Sequence, residues 1–217
     1  MKINKKIVLM LITLLCIGII LTTAGCSKKP TASESGKFFF NFLIKHDKTD
    51  IGKFGIKEDD ANNIIKTQMD ATKNQTRMNF TKAGILISDE ELDKITEAQY
   101  NALKSLDATV EAGSENGSEA TITITTPYID FNAMDTKATN DAQDSTIALG
   151  ITDQKEAINK FKDKYIENLL AELGSAKPSS ETNKGTYKFK KDAQSGLWVP
   201  DMKAEEFGEQ LVKLAEK

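Results

Sequence analysis

His46, Cys16 and Cys26 are the residues best suited to act as nucleophiles, bases or metal ligands, because the chain has one histidine and two cysteines. With so few of them, the sequence predicts no Ser–His–Asp triad, no Cys–His dyad and no multi-histidine metal site. The segment from Asp130 begins like a calcium loop, but Met134 then stands at an oxygen-ligand position. We therefore predict no catalytic residues, no metal and no cofactor.

Adjacent carboxylates are the other candidates for chemistry, and they occur at Glu90–Glu91 and Glu205–Glu206. Both pairs fall in the first turn of a predicted helix, where the helix dipole favours acids without any catalytic role. No stretch of the sequence matches a glycine-rich phosphate-binding loop. We interpret the chain as non-enzymatic and keep a carboxylate-dependent hydrolase as an alternative.

The setting of Cys26 is more informative. Residues 1–6 contain three lysines and no acid, and residues 7–21 form an apolar run of 15 residues. This run is shorter than the ~20 residues that a membrane-spanning helix needs, and the pattern is typical of a secretory leader. The run leads into Thr23-Ala24-Gly25-Cys26, so we predict a signal peptide over residues 1–25, cleaved between Gly25 and Cys26.

The small residues before Cys26 resemble the lipobox of bacterial lipoproteins, with Thr23 as a mild departure from its commonest form. In that motif a diacylglyceryl group is attached to the cysteine sulfur, so the resemblance implies lipidation of Cys26. Two acyl chains anchor a protein stably to a bilayer. The expected location is the outer face of the cytoplasmic membrane, at the bacterial cell surface.

Charge and length limit the remaining possibilities. Removal of residues 1–25 would take away three basic residues and no acid, which moves the net charge from −3 to −6. An acidic chain is a poor ligand for nucleic acid, so no nucleic-acid partner is predicted. Residues 26–35 are small and polar and are predicted to form a flexible tether of up to ~30 Å. Residues 36–217 are predicted to form one globular domain without disulfides.

The pattern of apolar residues predicts helices near the N-terminus, two β-hairpins and a closing helix. Ser88 to Glu91 forms a capping box at the start of one helix, and residues 152–173 carry a strong apolar stripe. Alternating residues predict hairpins at about 107–127 and 185–200. Residues 132–153 are too polar to assign, so a marginal helix and a long loop both remain open. Helices packed on a small antiparallel sheet make the predicted fold class α+β.

Aromatic residues are the candidate ligand contacts. The helix around residues 37–46 is so apolar that it either is covered on all sides within the domain or leaves an aromatic face open to a partner. Trp198 has the same two interpretations, a core anchor or the wall of a pocket. The predicted contacts are Phe38, Phe39, Phe42, Tyr128, Phe131 and Trp198.

Several segments together resemble a family of Gram-positive lipoproteins of unknown function. They are the lipobox, the helix end Leu43-Ile44-Lys45-His46-Asp47, the Lys53-Phe54-Gly55-Ile56 turn and a late tryptophan-bearing strand. The strands Tyr187-Lys188-Phe189 and Leu197-Trp198-Val199 also resemble those of cystatin-like and nuclear-transport-factor-like folds, in which a sheet curls around a helix. These resemblances imply a location and an architecture, and they supply no catalytic residues.

The sequence therefore favours a lipid-anchored binding or interaction module of the cell envelope. Its partner would be a small ligand, a peptide or an envelope protein. A transporter-linked solute receptor is the main alternative, although such receptors usually have repeated βαβ units, which the sequence does not predict.

Overall fold

The computed structural model describes residues 29–217, so the predicted signal peptide, its cleavage site and Cys26 lie outside the described residues. The elements follow one another as α1 (Ala32–Lys45), a 3-10 helix (Ile51–Phe54), α2 (Glu58–Lys82), α3 (Asp89–Lys104), β1 (Thr109–Asn116), β2 (Glu119–Pro127), α4 (Phe131–Ala148), α5 (Gln154–Gly174), β3 (Thr182–Lys191), β4 (Trp198–Pro200) and α6 (Ala204–Ala215).

The two predicted hairpins are present, and they join into one antiparallel sheet with the strand order β1-β2-β3-β4. The long pairing of β2 with β3 connects them, from Glu119 opposite Lys190 to Pro127 opposite Thr182. Gly117, whose φ is +60°, occupies the turn between β1 and β2, in a conformation that glycine adopts without strain. Within residues 29–217, six α-helices and one antiparallel sheet confirm the predicted α+β class.

Helices cover one face of this sheet. Both α1 and α6 pack on the strands, α3 packs behind α1, and α5 joins α3 to α4. The alternation along β2 follows from this arrangement, since Ala120, Ile122 and Ile124 are buried while Thr121 and Thr123 are half-buried on the other face. One connected set of buried apolar residues links the strands to the helices.

The start of α1 corrects the prediction of a flexible tether over residues 26–35. The helix begins at Ala32, and its N-cap residue Thr31 forms a capping box with Glu34. This box satisfies backbone N–H groups at the helix start, and Ala32 and Ser35 are buried. Residues 32–35 therefore belong to the domain. Serine and glutamate look like linker residues in the sequence, but here they form the first turn of a capped helix.

Helix α4 resolves the segment that the sequence left open. It runs from Phe131 to Ala148, and the side chain of its N-cap residue Asp130 accepts a hydrogen bond from the Ala133 backbone N–H. Ala138 and Ala142 are fully buried where α4 packs against α5. Small residues allow that close approach but give a weak hydrophobic pattern. Tertiary packing therefore forms a helix that the amino-acid pattern alone does not predict.

Strand β1 is one edge of the sheet. Its pairing with β2 shifts between Ala112 and Glu115, so that a bulge interrupts the strand. Seven of its eight residues are exposed, and only Val110 is half-buried. At the opposite edge, β4 has three residues and ends in Pro200.

Gly36 lies where α1 closely approaches the sheet, and replacing it by alanine should destabilise the domain. A Cβ there would overlap the Cδ1 atom of Ile122 and lie 3.1 Å from Cγ1 of Val110. Since Ile122 is fully buried, we expect overpacking to lower the free energy of unfolding by about 1–3 kcal/mol.

Gly174→Ala is the matched control, because nothing lies within 4 Å of a Cβ at that helical position. It should be neutral or slightly stabilising, as alanine favours helix by about 0.5–1 kcal/mol over glycine. Urea titration of both variants makes the comparison. A Gly36→Ala protein as stable as the parent would show that the helix can move away from the sheet at no cost.

Candidate functional site

The six aromatic residues predicted as ligand contacts are all buried. Their exposed fractions range from 0% for Phe42 to 7% for Tyr128, with Phe38, Phe39, Phe131 and Trp198 between these values. The alternative of a helix covered on all sides is therefore the correct one for residues 37–46. These side chains form the core of the described structure and present no surface to a ligand.

Phe39 shows how the core closes around α1. Its ring centroid lies 5.4 Å from that of Phe38, 6.2 Å from Phe189 on β3 and 6.0 Å from Phe207 on α6. The ring meets Phe207 edge to face, the geometry that aromatic quadrupoles favour. Sheet, α1 and α6 thus meet at one aromatic cluster, which explains why α1 needs no polar face.

Trp198 and Tyr128 lie at the margins of the core. The ammonium group of Lys191 stands 4.7 Å from the Trp198 ring centroid, and that of Lys217 stands 5.4 Å from the Tyr128 ring centroid. The Tyr128 hydroxyl donates to Glu181 at 3.1 Å. A lysine ammonium group lies over each ring and both aromatic side chains are buried, so these residues also act as packing anchors.

His46 lies where the end of α1 meets Gln68 of α2 and Tyr100 of α3. It is the C-cap of α1 with a φ of 55°, and its backbone N–H donates to the carbonyl of Asn41. The His46 side chain lies 3.0 Å from Gln68 Oε1, and its ring centroid lies 4.0 Å from that of Tyr100. Burial, opposed by the Gln68 hydrogen bond, lowers the pKa of His46 to about 4.

Because the pKa of His46 is lower in the folded state, acid should destabilise the domain through this residue. Between about pH 6.5 and pH 4 the unfolded chain takes up a proton that the folded chain does not, so stability falls as the pH falls. Asparagine tolerates the left-handed conformation of this position, so His46→Asn is a suitable variant. We expect it to remove about 1–2 kcal/mol of the stability loss, because the half-buried histidine ring is partly solvated.

Urea unfolding at pH 7 and at pH 4.5 would measure this effect. The asparagine variant should lose less stability between the two pH values than the parent does. An equal loss in both proteins would show that His46 does not titrate differently on folding.

The contact between α2 and α3 contains a buried polar seam, which we define as Gln68, Thr72 and Thr76 of α2 with Thr96 and Gln99 of α3. All five are buried. The Thr72 hydroxyl lies 3.3 Å from that of Tyr100, while Gln68 Nε2, Thr96 Oγ1 and Gln99 Oε1 have no hydrogen-bond partner among the described groups. A buried polar atom without a partner costs about 1–3 kcal/mol. The seam therefore holds α2 less firmly than an apolar contact would.

Asp135 is a buried carboxylate, 7% exposed. It lies on α4 and accepts a hydrogen bond of 2.6 Å from the Tyr165 hydroxyl of α5. Burial, which the Tyr165 hydrogen bond only partly offsets, raises the pKa of Asp135 to about 6. Its side chain points inward between two helices. The only sign of this burial in the sequence is that Asp135 stands three residues before Ala138, on the same face of a helix. This sign is weak in so polar a segment.

One candidate for a ligand site among the described residues is a cleft at the α4–α5 connection. It has a volume of about 550 Å³ and is lined by Gln143, Thr146, Ile147, Gly150, Ile151, Thr152, Asp153, Gln154 and Ala157. Ile147 is 67% exposed, and nearby Leu149 is 55% exposed. Apolar side chains beside polar backbone and hydroxyl groups are typical of small-ligand pockets of 300–1,000 Å³.

A second cleft of about 360 Å³ lies where the chain enters the domain. Its walls are Lys29, Pro30, Glu34, Lys37, Asp50, Lys53 and Phe54. Lys53 pairs with Asp50 at 2.9 Å and Lys37 pairs with Asp107 at 2.8 Å. Its charges are therefore largely neutralised by neighbours.

Within residues 29–217, no three or more histidine, cysteine, aspartate or glutamate side chains are grouped so that they could hold a metal ion. Within the same residues, no helix has the length and apolar character that spanning a membrane requires.

The sequence matches no protein-family profile and no curated protein. Among solved structures, the fold is similar to that of YcdA, a predicted lipoprotein of Bacillus subtilis strain 168, with a TM-score of 0.60 and 18% sequence identity. The similarity covers 86% of this chain and 56% of YcdA, so this chain spans little more than half the length of that protein. At this level of identity the comparison establishes a common fold.

Proposed function

We propose that this chain is a lipoprotein of the outer face of the cytoplasmic membrane, attached through a diacylglyceryl group on Cys26. The observation that carries the proposal is the lysine-rich, apolar leader ending in small residues before Cys26. The fold adds independent support, because its neighbour YcdA is itself a predicted lipoprotein.

The domain would act as a non-enzymatic binding module of the cell envelope. Since the predicted aromatic contacts are buried, its ligand must use another surface. The α4–α5 cleft is the best supported one, because exposed Ile147 lies in its wall and Leu149 lies on the same connection. A small ligand, a peptide or an envelope protein with an apolar group would suit this lining.

The two alternatives receive less support. A transporter-linked solute receptor would be expected to have parallel strands joined by helices, whereas the described strands pair antiparallel. A carboxylate-dependent hydrolase would need two carboxylates facing a cleft, whereas the buried Asp135 lies between α4 and α5 and accepts a hydrogen bond from Tyr165.

Replacing Cys26 by serine tests the anchor. The parent protein should sediment with membranes, and its N-terminal peptide should carry the mass of a diacylglyceryl group. The Cys26→Ser protein should lose that mass and leave the membrane fraction, because two acyl chains supply most of the binding energy. Normal maturation and sedimentation of the serine variant would disprove the proposal.

A photo-crosslinking residue tests the cleft. Placed at Ile147 in intact cells, it should give a discrete adduct that an Ile151→Asp substitution in the same cleft abolishes. The matched control position is Leu86, which is 87% exposed and lies outside the cleft. Equal adducts from positions 147 and 86, or insensitivity to Ile151→Asp, would argue against this binding surface.

A further inference from the structure

The entry of the chain into the domain is fixed by Lys29. Its ammonium group donates a hydrogen bond of 2.7 Å to the backbone carbonyl of Ser195, in the turn between β3 and β4. The Cδ and Cε atoms of Lys29 lie 3.5 Å from the place where a Cβ on Gly196 would stand. The lysine side chain therefore lies across the turn at a position where glycine leaves room for it.

The turn that receives Lys29 is itself well ordered. Asp192 Oδ1 accepts hydrogen bonds of 2.7 Å from the backbone N–H of Ser195 and 2.7 Å from its hydroxyl, and one of 3.2 Å from the Gln194 N–H. The Gly196 N–H donates to the Asp192 carbonyl at 2.7 Å. A turn with this many internal hydrogen bonds is a rigid attachment point for the lysine.

On the other side of Lys29 the chain enters a capped helix. Thr31 and Glu34 form the capping box of α1, so only Pro30 separates Lys29 from a fixed helix start. The chain is thus held to the domain from Lys29 onward. Only Ser27 and Lys28 separate this point from Cys26.

The length of this connection limits how far the domain can stand from the lipid. Three residue steps span at most ~11 Å between the Cα atoms of Cys26 and Lys29. The headgroup layer on each side of a bilayer is about 5–8 Å thick, from the difference between its total and hydrocarbon thickness. Crossing the headgroups therefore uses most of the available chain, and the surface around Lys29 must touch them.

We propose that the domain docks on the lipid surface through its entry face, which we define as Lys29, Pro30, Lys53 and the turn Asp192–Gly196. The inference rests on the proposed lipidation of Cys26. Lys29 joins the members of this face, because it contacts the turn and lines one cleft with Pro30 and Lys53.

Charge is not what selects this orientation. Around the face, Lys29, Lys37 and Lys53 are balanced by Glu34, Asp50 and Asp192, and two of the three lysines already have acidic partners. The short connection imposes the contact instead. The orientation should therefore be the same on neutral and anionic lipids and should be insensitive to salt, unlike docking through a basic patch.

Strand β3 offers two label positions at a known separation for a test of this orientation. It runs for ten residues from Thr182 to Lys191, immediately before the turn, so its far end lies ~30 Å along the strand from the turn of the entry face. Ala193 in the turn and Thr182 at the far end are both exposed. Neither Ala193→Cys nor Thr182→Cys removes a core contact, and acylated Cys26 would leave one free thiol in each mature protein.

The experiment uses lipidated full-length protein with a spin label at position 193 or 182. The protein is reconstituted into phosphatidylcholine vesicles that contain a nickel-chelating lipid, and flotation with the vesicles is checked first. Relaxation by nickel should be at least about threefold stronger at position 193, because ~30 Å of strand separates the two labels. A ten-residue Gly-Ser insertion after Ser27 should make the nickel relaxation equal at positions 193 and 182. Lys29→Ala should give a ratio of the two relaxation rates between that of the parent and that of the insertion variant.

The outcomes separate the two proposals. Failure to float would disprove the lipid anchor itself. Flotation with equal relaxation at the two positions, or with stronger relaxation at position 182, would overturn the docking orientation and leave the anchor standing. If the ten-residue insertion left the relaxation ratio unchanged, the docking proposal would also be overturned, because the short connection would then not be the cause of the orientation.

Discussion

Replacing Phe39 by alanine is expected to lower the free energy of unfolding by about 3–5 kcal/mol. The ring is 5% exposed and lies at the centre of an aromatic cluster contributed by α1, β3 and α6. Its removal leaves a cavity where three elements meet, and the surrounding rings can collapse into it only in part. Urea unfolding monitored by circular dichroism would measure the loss.

Two controls make this result interpretable. Phe39→Leu keeps most of the apolar volume and should be clearly less destabilising than alanine. Met78→Ala removes an apolar side chain that is 51% exposed, so the change should stay within about 0.5 kcal/mol. If Phe39→Ala left stability unchanged while abolishing ligand capture, Phe39 would be a binding residue as the sequence first predicts, and the core described above would be wrong.

Asp135→Asn should stabilise the domain at neutral and alkaline pH. Burial raises the pKa of this carboxyl to about 6, against 3.8 for the ordinary side chain. Between about pH 4 and pH 6 the folded protein therefore holds a proton that the unfolded chain has lost, and stability falls as the pH rises. At 1.36 kcal/mol per pH unit, the loss by pH 8 amounts to about 3 kcal/mol.

Asparagine has no charge to lose, so the variant should be more stable than the parent at pH 8 and equal to it below about pH 4. The Tyr165 hydroxyl can still donate to the amide oxygen. Tyr165→Phe is the complementary variant, because it deprives the carboxylate of its donor and should destabilise the domain at pH 8 by about 1–3 kcal/mol. A parent and an Asp135→Asn protein with parallel stability curves from pH 4 to pH 8 would refute this assignment.

Asp135 and His46 act in opposite directions over the same pH range. Rising pH costs stability through Asp135 and restores it through His46. Between pH 4 and pH 6, the free energy of unfolding of the parent should therefore change less with pH than that of His46→Asn or Asp135→Asn.

Strong local patterns predicted much of the fold. The capping box at Ser88 is formed as expected, with Ser88 Oγ accepting from the Glu91 N–H and Glu91 Oε2 accepting from the Ser88 N–H. Period-two alternation predicted both hairpins, and both are present in the sheet. In these segments the local signal and the tertiary structure agree.

The errors have a common physical origin. Helix α4 depends on alanines packing against α5, and that partner cannot be recognised in a local window. The side chain of His46 is half-buried because Gln68 and Tyr100 reach it from two other helices. Whether an aromatic side chain is a core anchor or a ligand contact likewise depends on what covers it. The predicted identity of the six aromatic contacts failed for this reason, whereas the lipidation of Cys26 stays a prediction.

Under the proposed lipid anchorage at Cys26, the exposed edge strand β1 has a consequence for how neighbouring copies interact. Molecules confined to a membrane plane meet often, and an unprotected edge strand could pair with the edge strand of another copy through backbone hydrogen bonds. The break in the ladder after Ala112, flanked by the glutamates at 111 and 115, twists and charges that border. Neighbouring copies should therefore remain individual molecules even at high surface density.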